Sequence, residues 1–149
     1  MSFTIAVVVH VLLGVTGVAF SYAVALGVKK RVPNVAFLKW SSAIALISYL
    51  LSWATGAYYY VLNYGTAVKP RIMEGAYPWA HSIFMESKEH IFLFLPFMAL
   101  VIALIIFVRG ERIAADVSMR NSLFILSLTT FFLGVFITLS GVLVSGAVR

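Results

Sequence analysis

The sequence contains no cysteine. Disulfides, thiolate metal ligands, a cysteine nucleophile and covalent haem attachment through a C-x-x-C-H motif are therefore excluded. Charge is almost as scarce, at 11% of 149 residues, with 5 acidic side chains against 11 basic ones. A soluble domain carries about 25% charged residues, so this chain has too few to cover a water-facing surface. Asp116 is the single aspartate, which leaves no aspartate pair for acid–base chemistry. No G-x-S-x-G, H-E-x-x-H or Walker loop occurs, and a nucleophilic hydrolase is not expected. The net charge of +6 does not indicate nucleic acid. The basic residues stand at the ends of apolar runs, and no basic stripe is interleaved with aromatics.

What the sequence has is length of apolar run. Hydrophobic residues make up 62% of the chain. The first run covers about residues 3–28 and the second about 40–62. The third, with its polar approach, covers about 80–108, and the fourth about 121–148. Each reaches the roughly 18–20 residues that cross a hydrocarbon core of about 30 Å. In lipid only helices and closed barrels satisfy the backbone, and the short alternating strands of a barrel are absent. The expected fold is an all-α membrane protein, an antiparallel four-helix transmembrane bundle forming one domain over 1–149. The N-terminal run lacks a positive n-region and is too long for a signal-peptide h-region, so it reads as a mature helix.

Orientation follows the lysine and arginine bias. Lys29, Lys30, Arg31 and Lys39 flank the first connection, and Arg109, Arg112 and Arg120 the third. Lys69, Arg71 and Lys88 near the second are offset by Glu74, Glu86 and Glu89. The tight cluster at Lys29, Lys30 and Arg31 decides the margin. Both termini are expected outside, in a plasma (inner) membrane. The connection at about 63–79 is then an outer loop, and its prolines argue against a continuous helix. Most of the tyrosines around it, with Trp79, read as an interfacial aromatic belt.

Ionisable groups inside a membrane are expensive and default to functional candidates. His10 lies inside the first span, and His81, Glu86, Lys88, Glu89 and His90 crowd the start of the third. His10 and His90 each stand 19 residues from a basic boundary residue, Lys29 and Arg109 respectively. At 1.5 Å per residue both lie about 28 Å from that boundary, hence at one level. The same count in the second span reaches Tyr58, beside Tyr59, and in the fourth Leu139, beside Thr138 and Ser140. Glu86 and His90, spaced i,i+4, share a helix face, with Glu89 flanking it. His81 falls on the opposite side of a continuous α-helix.

Three readings of this layer follow. Two neutral imidazoles at one depth on different helices suit a b-type haem ligated by His10 and His90. Gly14 would leave space for the macrocycle, Tyr58 and Tyr59 would line it, and Lys69, Arg71 or Lys88 would pair the propionates. Glu86 and Glu89 would tune the site, and electron transfer would be the function, with a quinol as one candidate partner. Alternatively His10, His90, Glu86 and Glu89, with His81 as a further candidate, form a nitrogen–oxygen ligand set. Such a set suits binding or transport of iron, zinc or manganese, with copper admitted by Met73 and Met85. A third reading is structural: the polar groups satisfy one another in a non-catalytic subunit of a larger complex. Partners would then be the lipid bilayer, other membrane subunits or further copies of the chain. Small residues on the spans (Gly14, Gly17, Ser52, Gly56, Gly134, Gly141) serve close helix packing on one view and a flat cofactor on the other. Pro96 bends the third span or opens space beside a site.

Overall fold

The computed structural model describes residues 3–148. The four apolar runs form α1 (Phe3–Lys29), α2 (Val35–Tyr59), α4 (Glu86–Arg109) and α5 (Val117–Gly146), and a short α3 (Lys69–Glu74) lies between the second and third. Two π-helical segments extend them. Tyr60–Val68 continues α2 into α3, and Ala80–Met85 leads into α4. No strand occurs among the described residues. Four helical units, Phe3–Lys29, Val35–Glu74, Ala80–Arg112 and Val117–Gly146, are long and apolar enough to cross a membrane. The protein is an integral membrane protein built as an antiparallel four-helix bundle. Helix α1 packs on α2 and α5, and α4 packs on the same two. Thus α1 and α4 face each other across a diagonal.

Local chemistry stops and starts the helices where the chain turns. Asn34 Oδ1 accepts from Phe37 N at 3.1 Å and caps α2. Asp116 Oδ1 accepts from Met119 N at 2.9 Å and caps α5. Such caps stabilise a helix start by about 1 kcal/mol. Helix α1 closes at Arg31, which has a positive φ of 52°, while Val32 N donates to Gly27 O at 3.0 Å. That is the Schellman arrangement, with arginine where glycine is usual.

The stretch expected as an outer loop is mostly helical. Pro70 does not break it; it stands in the first turn of α3, where the π-helical segment passes into α-helix. Only residues 75–78 are outside a helix between α3 and the next helical segment.

Packing inverts the pattern of a soluble bundle. Ser41, Ser42, Ser48, Ser52, Ser127, Thr130 and Ser140 are buried, whereas Trp40, Phe94, Phe97 and Val108 face outward. Lipid accepts the large apolar side chains, and small residues let the backbones approach. Three of these hydroxyls are satisfied within their own helix; Ser127, Thr130 and Ser140 each donate to a carbonyl four residues back at 2.8 Å. Three apolar clusters stack along the bundle. Val24, Val28, Leu38, Ile102 and Ile106 fill the end at the two short connections. Tyr49, Leu95, Ala99 and Ile137 fill the middle. Tyr64, Ile72, Ala80 and Val144 fill the end where α1 begins and α5 stops.

Candidate functional site

Between the middle cluster and the terminal one the four helices part around a chamber of about 780 Å³. That is within the roughly 300–1,000 Å³ of ligand sites generally. Its floor is Tyr49. This side chain is 1% exposed and crosses from α2 to reach Ser21 Oγ on α1 at 3.1 Å. The ring passes close to Gly17 and its hydroxyl close to Gly134; a Cβ on Gly17 would stand 2.7 Å from the ring, and one on Gly134 would stand 3.1 Å from the hydroxyl. Those two glycines therefore serve close packing, and the packing is what closes the chamber below.

His10 stands in the chamber wall. Its Nδ1 lies 2.8 Å from the carbonyl oxygen of Ser52. A carbonyl only accepts, so Nδ1 carries the proton and donates. Ser52 Oγ donates to the His10 carbonyl at 3.0 Å and lies 3.1 Å from the same Nδ1. The neutral ring therefore keeps a lone pair on Nε2. Gly56 makes the arrangement possible. A Cβ there would come within 2.7 Å of Nδ1 and 2.8 Å of Cε1, so only glycine lets the imidazole lie against the α2 backbone. Phe92 of α4 meets the ring edge-on, with centroids 6.0 Å apart.

Helix α4 turns Lys88, Glu89, Phe92 and Leu95 toward the chamber, and Met85 just before it lines the same wall. His90 and Glu86 lie on its exposed face, outside the wall. His90 Nδ1 donates to the Glu86 carbonyl at 2.7 Å, so the pair is joined to itself along the helix surface. The structure brings His10, Gly14, Tyr59 and Glu89 together around one space. It does not bring His90, Glu86 or Tyr58 there, and Tyr58 is 40% exposed. Lys69 and Arg71 are also outside the wall, whereas Lys88 is in it. Among the described residues no three His, Cys, Asp or Glu side chains are grouped as a metal site.

His81 occupies a third setting. It is 3% exposed, and its Nδ1 is 3.0 Å from the hydroxyl of Tyr64, a tyrosine of the chamber wall. Its Nε2 is buried without a partner, as is Glu89 Oε1. His81 lies in the π-helical segment Ala80–Met85, buried where His90 is exposed, so the two stand on opposite sides as their nine-residue spacing gives.

Level was thus readable from the sequence for α4 and α5 but not for α2, and facing was not. His10 meets α4 at Phe92, half a turn from His90, and α5 contributes Thr138 and Gly141. On α2 the contact falls at Ser52 and Gly56, more than half a turn below Tyr58. Nothing in the sequence sets Tyr49 or Phe92 apart from ordinary core residues. The available signal for α2 was the i,i+4 pair of small residues Ser52 and Gly56, which marks the close-approach side of a membrane helix. Pro96 is buried on the α2 side of α4, beside a separate hollow of about 170 Å³ with Leu46, Leu50 and Trp53. Comparison with known proteins finds no family model, no curated protein and no solved structure that matches the chain.

Proposed function

We propose that the chain is a membrane-embedded redox protein whose chamber would hold one b-type haem through His10. The observation that carries this reading is the 2.8 Å approach of His10 Nδ1 to the Ser52 carbonyl oxygen, which makes Nδ1 the donor. Ligating histidines characteristically donate the other ring N–H to a carbonyl or carboxylate, which sets the ring and raises its basicity. His10 does this toward Ser52 at 2.8 Å and leaves Nε2 as a neutral nitrogen donor. Haem would supply reversible one-electron exchange. The chain's own part is to orient the imidazole through Ser52 and Gly56, and to exclude water with Phe92, Leu95 and Ile137. Tyr49 stops the ligand from sinking deeper.

The exposed position of His90 makes this a site with one histidine from the chain. The non-haem reading with His10, His90, Glu86 and Glu89 has less support, because only His10 and Glu89 border the chamber. The positive-inside bias supports a chamber at the outer side of the membrane, with both termini outside. A reporter fused to either terminus should then be accessible from outside the cell.

The test is an ultraviolet-visible spectrum of protein purified in mild detergent, oxidised and reduced, after expression with haem supplied. A Soret band is expected. It should vanish in His10→Gly and return when free imidazole is added. A wild-type sample with no Soret band, or a His10→Gly variant that keeps one, overturns the reading.

A further inference from the structure

Lys88 is the cation in the chamber wall. It extends inward across the chamber to α5, where Nζ would stand 3.4 Å from a Cβ on Gly141. Gly141 is more than a turn inside the end of α5. The missing side chain there leaves the room the ammonium uses.

The neighbouring carboxylate does not neutralise it at contact distance. Glu89 is close enough to act on Lys88 through space, but its Oε1 is buried without a hydrogen-bond partner. Successive helical residues point about 100° apart. Lys88 therefore points to α5, while Glu89 lies toward Tyr60 and Tyr64 of the π-helical extension of α2. An ammonium set inside a membrane bundle is costly unless an anion meets it.

We propose that Lys88 is an anion anchor, and that the chamber's ligand is an apolar-bodied carboxylate whose anionic end rests on this ammonium. The inference rests on the proposed haem reading in so far as haem propionates have this chemistry. A free fatty acid shares it. Both place an apolar body among the chamber's aromatic and aliphatic side chains and a carboxylate at Lys88.

The experiment is a titration of the full-length apo-protein in detergent with three probes: haem, haem dimethyl ester and the fluorescent fatty acid cis-parinaric acid. Wild type, Lys88→Gln and Lys88→Arg are compared. A charge-assisted hydrogen bond corresponds to a preference of about 10- to 100-fold. Wild type should prefer haem over its diester by that factor. Lys88→Gln should lose the preference and still bind the diester as wild type does, which shows that it has folded. Lys88→Arg should restore it. Equal binding of haem and diester by wild type overturns the anchor and leaves the haem reading standing. If neither porphyrin binds but cis-parinaric acid binds wild type and not Lys88→Gln, the anchor stands and the haem reading falls. If none of the three probes binds wild type, both are overturned.

Discussion

Replacing Gly56 by alanine adds one methyl group against the imidazole of His10 and nothing else. That methyl would sit 2.7 Å from Nδ1 and 2.8 Å from Cε1. Unstrained contacts begin at about 3.5 Å, so the ring has to withdraw by about 0.8 Å. The carbonyl of Ser52 is the helical partner of the Gly56 amide, so it lies on the same patch of α2. Withdrawal therefore stretches the 2.8 Å bond from Nδ1 to about 3.6 Å, beyond hydrogen-bonding range. The effects on stability nearly cancel. Alanine gains about 0.5–1 kcal/mol over glycine in a helix, and the lost bond is worth about 0.6 kcal/mol in a membrane bundle. The effect on the ligand does not cancel. Losing the group that orients a ligating histidine costs about 10- to 100-fold in affinity. Titrating haem into Gly56→Ala and wild-type apo-protein, followed at the Soret band, reads that loss directly. Helical circular dichroism through an SDS titration should meanwhile show little change. Gly65→Ala is the control, because Gly65 is outside the chamber wall and its methyl would meet nothing nearer than the Tyr60 carbonyl oxygen at 4.0 Å. Wild-type haem affinity in Gly56→Ala would refute the argument, since the ring's seat against α2 would then be irrelevant to the site.

Further outcomes follow from the same geometry. His90→Ala should leave the haem spectrum unchanged, and the reduced wild-type protein should bind carbon monoxide readily; a low-spin spectrum that is lost in His90→Ala would restore the two-histidine arrangement. Tyr49→Ala removes the chamber floor and should destabilise the bundle by about 3–5 kcal/mol, whereas Tyr49→Phe gives up only the bond to Ser21, about 0.6 kcal/mol; SDS unfolding distinguishes the two. Tyr64→Phe leaves His81 buried with neither nitrogen paired, at a cost of about 1–3 kcal/mol, and in the same assay it should unfold earlier than Tyr59→Phe.

Much of this architecture was legible because a bilayer imposes length. A run of apolar residues closed by lysine or arginine fixes where a helix begins and ends, and counting from that boundary fixes depth. The count placed His10 level with the start of α4 and with residues 138–140, and the structure brings His10, Phe92 and Thr138 to one chamber. Depth needs only the helical rise. Facing needs to know which side of a helix meets protein, and here the usual evidence is missing. A soluble helix shows a polar outer face, but in α4 the outward Phe94, Phe97 and Val101 are as apolar as the inward Leu95, Ala99 and Ile102. The alternative cue is size. In α5 the buried Ser127, Thr130, Gly134, Ile137, Ser140 and Val144 recur every three or four residues, a small-residue stripe that marks the packed side.

The sharing of one face by Glu86 and His90 was a sound inference from their spacing, and it shows why spacing alone does not build a site. An i,i+4 pair says that two side chains lie together; it is silent on whether they lie together inside or outside. Their position at the start of α4 made either side affordable, since the headgroup region solvates what the hydrocarbon core does not. Lys88 and Glu89, sitting between them in sequence, take the opposite choice and turn into the bundle. His81 is the converse case. Nine residues of helical rotation set it opposite His90, and it is buried while His90 is exposed. Counting is silent on its partner. The Tyr64 hydroxyl, 3.0 Å from His81 Nδ1, comes from the π-helical extension of α2, and a π turn has no composition of its own to read.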